Sequence, residues 1–170
     1  MIKTARLDIV EAVESEIQTI IAIEEHKENR DYLWIGTYEE HLNEISDPNH
    51  LLLVFKEHDE KKIVGYALIR LDFKSNIFEI RRIAIVEKGI GYGKESMIAL
   101  IKYAFEQTKT NRLWLDVYPD NLGGIKLYEN LRMHKDGVLR QNYKADRGYL
   151  DQIIYSILRE EYGEWKNNFF

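Results

Sequence analysis

The chain has no cysteine. Disulfide stapling and any cysteine-linked covalent intermediate are therefore excluded, and redox compartment is left open. Proline occurs only twice, and no stretch is rich in Gly and Ser or low in complexity, so neither a linker nor an internal repeat divides the chain. With 170 residues and 45% apolar content, it is expected to form one domain over residues 1–170. No apolar run approaches the roughly 18 residues that a membrane-spanning helix needs, and no charged leader with a small-residue cleavage site opens the chain. The expectation is a soluble cytoplasmic protein with no membrane partner. An excess of basic charge is also missing. The net charge is -5 with both signs interspersed, which argues against nucleic acid as a partner. The five histidines, His26, His41, His50, His58 and His134, show neither HxxxH nor HxH spacing, so no metal site is expected.

Hydrophobic periodicity assigns the elements. Ala5 to Val10 alternates weakly as a first strand. Ile17, Ile20, Ile21 and Ile23 recur at helical spacing from Glu14 to about His26, and Tyr38, Leu42 and Ile45 define a second short helix stopped at Asp47-Pro48. Leu51 to Phe55, Ile63 to Phe73 and Ile77 to Val86 form an antiparallel meander, with turns at His58 to Lys62 and at Lys74-Ser75-Asn76. Beyond it, Met97, Leu100, Ile101, Ala104 and Phe105 form a core-facing helical stripe. Leu113 to Val117 is a strand, Leu122 to Leu131 a helix, and Met133 to Tyr143 and Tyr149 to Leu158 close the chain as strands. This order predicts a mixed α/β sheet.

Between the third meander strand and the long helix lies Lys88-Gly89-Ile90-Gly91-Tyr92-Gly93-Lys94. Three closely spaced glycines let the backbone turn sharply and let a ligand approach main-chain N–H groups. The helix that follows adds unpaired amides and the positive end of its dipole, so the stretch reads as an anion cradle or, more plainly, as a strand-to-helix turn. A Walker loop is excluded, because only three residues separate Gly89 from Gly93 and Glu95 stands where Ser or Thr should hold magnesium. The G-x-G-x-x-G dinucleotide spacing is absent as well. The pattern resembles the acyl-CoA loop of the GNAT superfamily of N-acetyltransferases (Gln or Arg, two residues, Gly, one residue, Gly or Ala), with Lys88, Gly91 and Gly93 on its positions and Lys as a charge-preserving departure.

A second stretch, Asp116 to Tyr128, extends the resemblance. The superfamily often reads Asn, two residues, Ala, two residues, Leu-Tyr, and Asn121, Leu127 and Tyr128 match while Gly124 replaces Ala. After Tyr128 the usual Gly-Phe is replaced by Arg132-Met133, which implies a different helix exit. The resemblance implies a GNAT-like sheet flanked by helices, with an antiparallel N-terminal meander and two parallel central strands splayed to admit the pantetheine arm. It closes with a last strand, Gly148 to Ser156, like that of the branch with ribosomal-protein N-terminal, spermidine and small-amine acetyltransferases.

The resemblance also implies roles. Acetyl-CoA would be the cosubstrate, held by Ile83, Ala84, Ile85, Lys88, Gly89, Gly91, Tyr92, Gly93, Lys94, Asn121 and Tyr128, with a backbone N–H near Ile83 to Ile85 as oxyanion donor. Tyr128 is the candidate general acid, its alternative being a core tyrosine; Asn121 is equally an N-cap. Glu79 is the candidate base, sharing a face with Arg81, Ile83 and Ile85 if the strand alternates regularly, or else a carboxylate paired with Arg81 or Arg82. The acceptor would be a small-molecule or peptide amine, met by Glu24, Glu25, Glu28, Asp31, Tyr32, Trp34 and Tyr38, an acidic and aromatic set that is otherwise a solvated helix face. The expected function is transfer of acetyl from the thioester to a primary amine by direct attack in a ternary complex. The alternative is a catalytically silent acyl-CoA-binding or sensing module on the same fold. A homodimer is left open.

Overall fold

The strands are β1 (Ile2–Lys3), β2 (Leu7–Glu11), β3 (His50–Glu57), β4 (Ile63–Asp72), β5 (Ile77–Ile85), β6 (Arg112–Val117), β7 (His134–Ala145) and β8 (Gly148–Leu158). In a computed structural model describing every residue, Met1–Phe170, they form one sheet in the order β1-β2-β3-β4-β5-β6-β8-β7. Every neighbouring pair is antiparallel except β5 and β6, which run parallel. The helices are α1 (Ile17–Glu25), α2 (Tyr38–Ser46), α3 (Tyr92–Gln107), α4 (Leu122–Asn130) and α5 (Arg159–Asn167). None is long and apolar enough to cross a membrane.

Both faces of the sheet are covered, which is why the runs in β3 and β4 are continuously apolar. One face carries the larger core, where Met97, Leu100, Ile101 and Ala104 of α3 are wholly buried against Phe55, Ile69 and Phe78. At about 1.5–3 kcal/mol for burying each large aliphatic side chain, this stripe is the main attachment of α3. On the other face Ile20 and Ile23 of α1 pack on Val54, Tyr66, Leu68 and Ala84.

Four details depart from the expected elements, the first being the two-residue strand β1, which was not expected. A 3-10 turn, Glu14–Glu16, precedes α1 and starts the helix at Ile17 rather than Glu14, with the Val13 amide donating to the Glu16 carboxylate. A C-terminal helix, α5, was not expected, although Tyr162, Trp165 and Phe169 recur at helical spacing; Trp165 Nε1 donates to the Leu131 carbonyl. At the altered exit of α4, Arg132 takes φ +55°, the left-handed conformation that a glycine would adopt with less strain, and its guanidinium donates to Asn168.

Beneath α1 and α2 lies a buried polar knot. Glu24, wholly inaccessible to solvent, accepts from Tyr66 Oη (2.5 Å), Arg82 Nη1 (3.1 Å) and the Gly36 amide (2.9 Å), and its other contact is His41 Nε2 (3.1 Å). His41 Nδ1 lies 2.7 Å from Glu44, which also pairs with Arg82. Burial alone would lower the His41 pKa, but hydrogen bonds to Glu24 and Glu44 outweigh it and raise it to about 9. A folded-state pKa above the unfolded value near 6.5 means that its stabilisation is full below about pH 6.5 and lost as pH rises through about 9, on the order of 3 kcal/mol. Urea midpoints should therefore fall between pH 6.5 and 9.5 in the wild type and fall much less in His41→Gln. Equal falls in both would refute a charged His41.

Candidate active site

The glycine loop leaves β5 and enters α3 with Gly89 at φ +81° and Gly91, the helix N-cap, at φ +92°. Both values lie in the region that L side chains adopt only with strain. From Gly89 to Lys94 the backbone amides donate to nothing within the chain; the first to do so is Glu95, to the Gly91 carbonyl at 3.1 Å. The Glu95 carboxylate is turned away to Thr4 Oγ1 (2.6 Å) and Arg6 Nε (2.7 Å). Burial would raise its pKa, but these bonds hold it low, so its negative charge is neutralised beside the loop. Arg6 also donates to the Ile90 carbonyl (3.0 Å) and covers the Tyr92 ring, fastening the loop to the N-terminal strands. Gly93 serves a different purpose. A Cβ there would meet Ile85 and Leu127 at an ordinary 3.7 Å, so its glycine keeps side-chain bulk out of the space between the two motifs.

The parallel strands do splay. β5 and β6 pair at Ile77–Arg112, Phe78–Leu113 and Glu79–Trp114 and then part, although β5 continues to Ile85 and β6 to Val117. The opening is a cleft of about 1290 Å³ reached by Ile83, Ala84, Ile85, Gly91, Gly93 and Tyr128. Asn121 caps α4, its Oδ1 accepting from the Gly124 amide at 3.0 Å, so its capping role is real and its side chain is committed to it. Tyr128 is buried, touches the cleft and has no side-chain hydrogen bond at its hydroxyl; burial, and then the negative Asp116, push its phenol well above the ordinary value.

Glu79 also lines the cleft, but its expected face is wrong. β5 carries an extra residue, Arg81, between the pairs Ile69–Ile80 and Leu68–Arg82, and this bulge inverts the alternation. Phe78 and Ile80 before the bulge and Ile85 after it join the larger core, so Glu79 shares the opposite face with Arg82 and Ala84 instead of lying with Ile83 and Ile85. Its loose ion partners are Arg70 (3.7 Å) and Arg81 (3.9 Å); Arg82 is taken by Glu24 and Glu44. Burial raises the Glu79 pKa, with the two arginines pulling it back. Asp116, on the facing strand, is likewise raised by burial and held by Gln152 Nε2 at 2.9 Å.

Lys88 was expected to offer its charge to a ligand. Its ammonium instead turns inward to Asn29 Oδ1 (2.5 Å) and the Ile85 carbonyl (2.9 Å). The acidic and aromatic set divides: Glu28, Asp31, Tyr32 and Trp34 reach the cleft, while Glu24, Glu25 and Tyr38 do not, Glu24 being the centre of the buried knot. Sequence reasoning missed Asn29, Arg82, Trp114, Tyr118 and Tyr143. Alternation in β6 was the available signal for Trp114 and Asp116, since Leu113, Leu115 and Val117 take the core face. Stacking of Tyr118 on Tyr143 (5.6 Å) had none.

Comparison with known proteins places these features in context. The profile of the Acetyltransferase (GNAT) family matches residues 12–132. "Uncharacterized N-acetyltransferase p20" of Bacillus licheniformis is 36% identical over 74 residues, 44% of this chain and 42% of that protein, so the match spans less than half of that relative. "Probable N-acetyltransferase YjcK" of Bacillus subtilis is 28% identical over 75% of this chain and 70% of its own. Among solved structures, a GNAT-family acetyltransferase from Bacillus anthracis superposes with TM-score 0.79 at 21% identity, covering 94% of this chain and 99% of that one. A chimera of the Vibrio cholerae spermidine N-acetyltransferase SpeG and hSSAT gives 0.82 at 17%, covering 93% and 98%. At these identities the likeness shows the fold.

Proposed function

The chain belongs to the acetyltransferase (GNAT) family, and from that premise we propose that it transfers an acetyl group from acetyl-CoA to a primary amine by direct attack. The observation that carries this is the pairing of unengaged amides at Gly89 to Lys94 with a slot that opens between β5 and β6 immediately beside them. Those amides, at the positive end of α3, suit a diphosphate, and Gly93 leaves room for the arm that follows it.

Acetyl-CoA supplies an activated acyl carbon and a thiolate leaving group. The β5 edge from Ile83 to Ile85, past the last pair with β6, supplies backbone N–H groups for the developing oxyanion. Glu79, raised by burial, is a stronger base than an exposed carboxylate and accepts a proton from the amine, directly or through water. Tyr128, at the cleft with an unpartnered hydroxyl, would meet the thioester sulfur. A thiol ionises near about 8.5 and this phenol above about 10, so complete proton transfer from Tyr128 to a free thiolate is uphill. Its work is therefore to donate a hydrogen bond as charge grows on sulfur, while the proton that finally rests there originates on the attacking nitrogen. The acidic lining, Glu28, Asp31, Glu79 and Asp116, with Trp34 and Trp114, suits a cationic amine. That N-acetyltransferases stand among the relatives supports an amine acceptor.

Coenzyme A at about a hundredfold its Kd should stabilise the chain by about 2.7 kcal/mol, a rise in Tm of about 5–10 °C. No shift at millimolar ligand would remove the proposal. Release of free thiol from acetyl-CoA only when an amine is present then separates an enzyme from a silent binding module, which would shift in Tm and turn over nothing.

A further inference from the structure

The position of Lys88 gives it a task different from ligand binding. Although Lys88 is exposed as a residue, its ammonium turns inward to two part-buried acceptors with no carboxylate in ion-pair contact, and burial lowers its pKa. An ammonium turned away from the loop onto two fixed acceptors is held for what those acceptors do. One is Asn29, 3% exposed, whose Nδ2 donates to the Ile23 carbonyl (2.9 Å) and the Ile85 carbonyl (3.3 Å). Ile23 lies in the last turn of α1, where the helix leaves carbonyls without partners. Around one side-chain amide meet the end of α1, the end of β5, the glycine loop and the segment that goes on to Asp31, Tyr32 and Trp34 in the cleft wall.

We propose that Lys88 and Asn29 form a clamp that fixes the segment 26–34 against the glycine loop, making Lys88 a positioning residue for the acceptor wall instead of a diphosphate ligand. That this wall faces an acceptor amine rests on the function proposed above; the clamp itself does not. Without the Lys88 ammonium, Asn29 Oδ1 and the Ile85 carbonyl lose a donor while the loop amides stay as they are. Lys88→Gln keeps an N–H donor and loses the charge; Lys88→Met loses both.

Hydrogen exchange in the full chain reads the clamp directly, because the amides of Asn29, Arg30 and Tyr32 bond within the segment, to His26, His26 and Asn29 carbonyls. In Lys88→Met these three amides should exchange about tenfold faster than in the wild type without ligand, and Lys88→Gln should restore most of the protection. Asn29→Ser, which attacks the clamp from its other side, should reproduce the Met effect. The Kd for coenzyme A should change by less than about threefold in Lys88→Met. Unchanged exchange in Lys88→Met and Asn29→Ser overturns the clamp, as does a large loss of coenzyme A affinity shared by the Met and Gln variants, which would make the charge a phosphate ligand. Failure of the wild type to bind coenzyme A would instead refute the proposed function and leave the exchange comparison intact.

Discussion

Tyr128→Phe is expected to lower kcat about a hundred- to a thousandfold, or about 3–4 kcal/mol of transition-state stabilisation, while the Kd for coenzyme A stays within about twofold. The hydroxyl is the only atom removed, and it holds no side-chain partner, so its loss leaves no broken bond in the core. The ring remains packed on Tyr155 at 5.8 Å. Stability should therefore be unchanged, and a drop in kcat cannot be assigned to unfolding. Steady-state kinetics with saturating acetyl-CoA and thermal denaturation of the same preparation check both halves. A variant with more than half of wild-type kcat would exclude the phenol from the chemistry.

The largest effect on stability is expected at Glu24→Gln. This carboxylate is the common acceptor of Tyr66, Arg82 and Gly36 and lies against His41, all in a region closed to solvent. Neutralising it leaves the Arg82 guanidinium and the His41 imidazolium sharing Glu44 alone. Removing one member of a buried ion network costs about 3–5 kcal/mol, chiefly because the remaining charge is stranded. For a chain of this length that corresponds to a Tm lower by on the order of 10 °C. Gln cannot reproduce the four contacts, because one of its terminal atoms is a donor facing donors. Arg82 also donates to the Trp34 carbonyl, so the segment bordering the cleft should loosen with the knot. A loss under about 1 kcal/mol would show that the network contributes little.

Patterns with a short period were legible in advance. The meander, the α3 stripe and the N-cap at Asn121 follow from spacing that local geometry enforces, and the structure places them at or within a few residues of the expected bounds. The glycine loop was legible because positive φ at Gly89 and Gly91 leaves a direct mark on composition. Where reasoning failed, a single long-range fact intervened. The bulge at Arg81 inverted the face of Glu79, and nothing in Glu79-Ile80-Arg81-Arg82 announces which residue goes unpaired against β4. Glu24 looked like part of a solvated acidic face because its partners lie far along the chain, at Gly36, His41, Tyr66 and Arg82.

By itself, then, the sequence determined the order of the central elements from the meander to the last strand, the family and a glycine-rich turn before α3, since each depends on residues close together along the chain. Only the tertiary structure decided that β5 and β6 part after Glu79 and Trp114, that Lys88 turns inward and that Glu24 holds a buried knot. Those outcomes depend on which distant groups compete for the same hydrogen bonds, and that competition is settled only when the sheet and helices have packed.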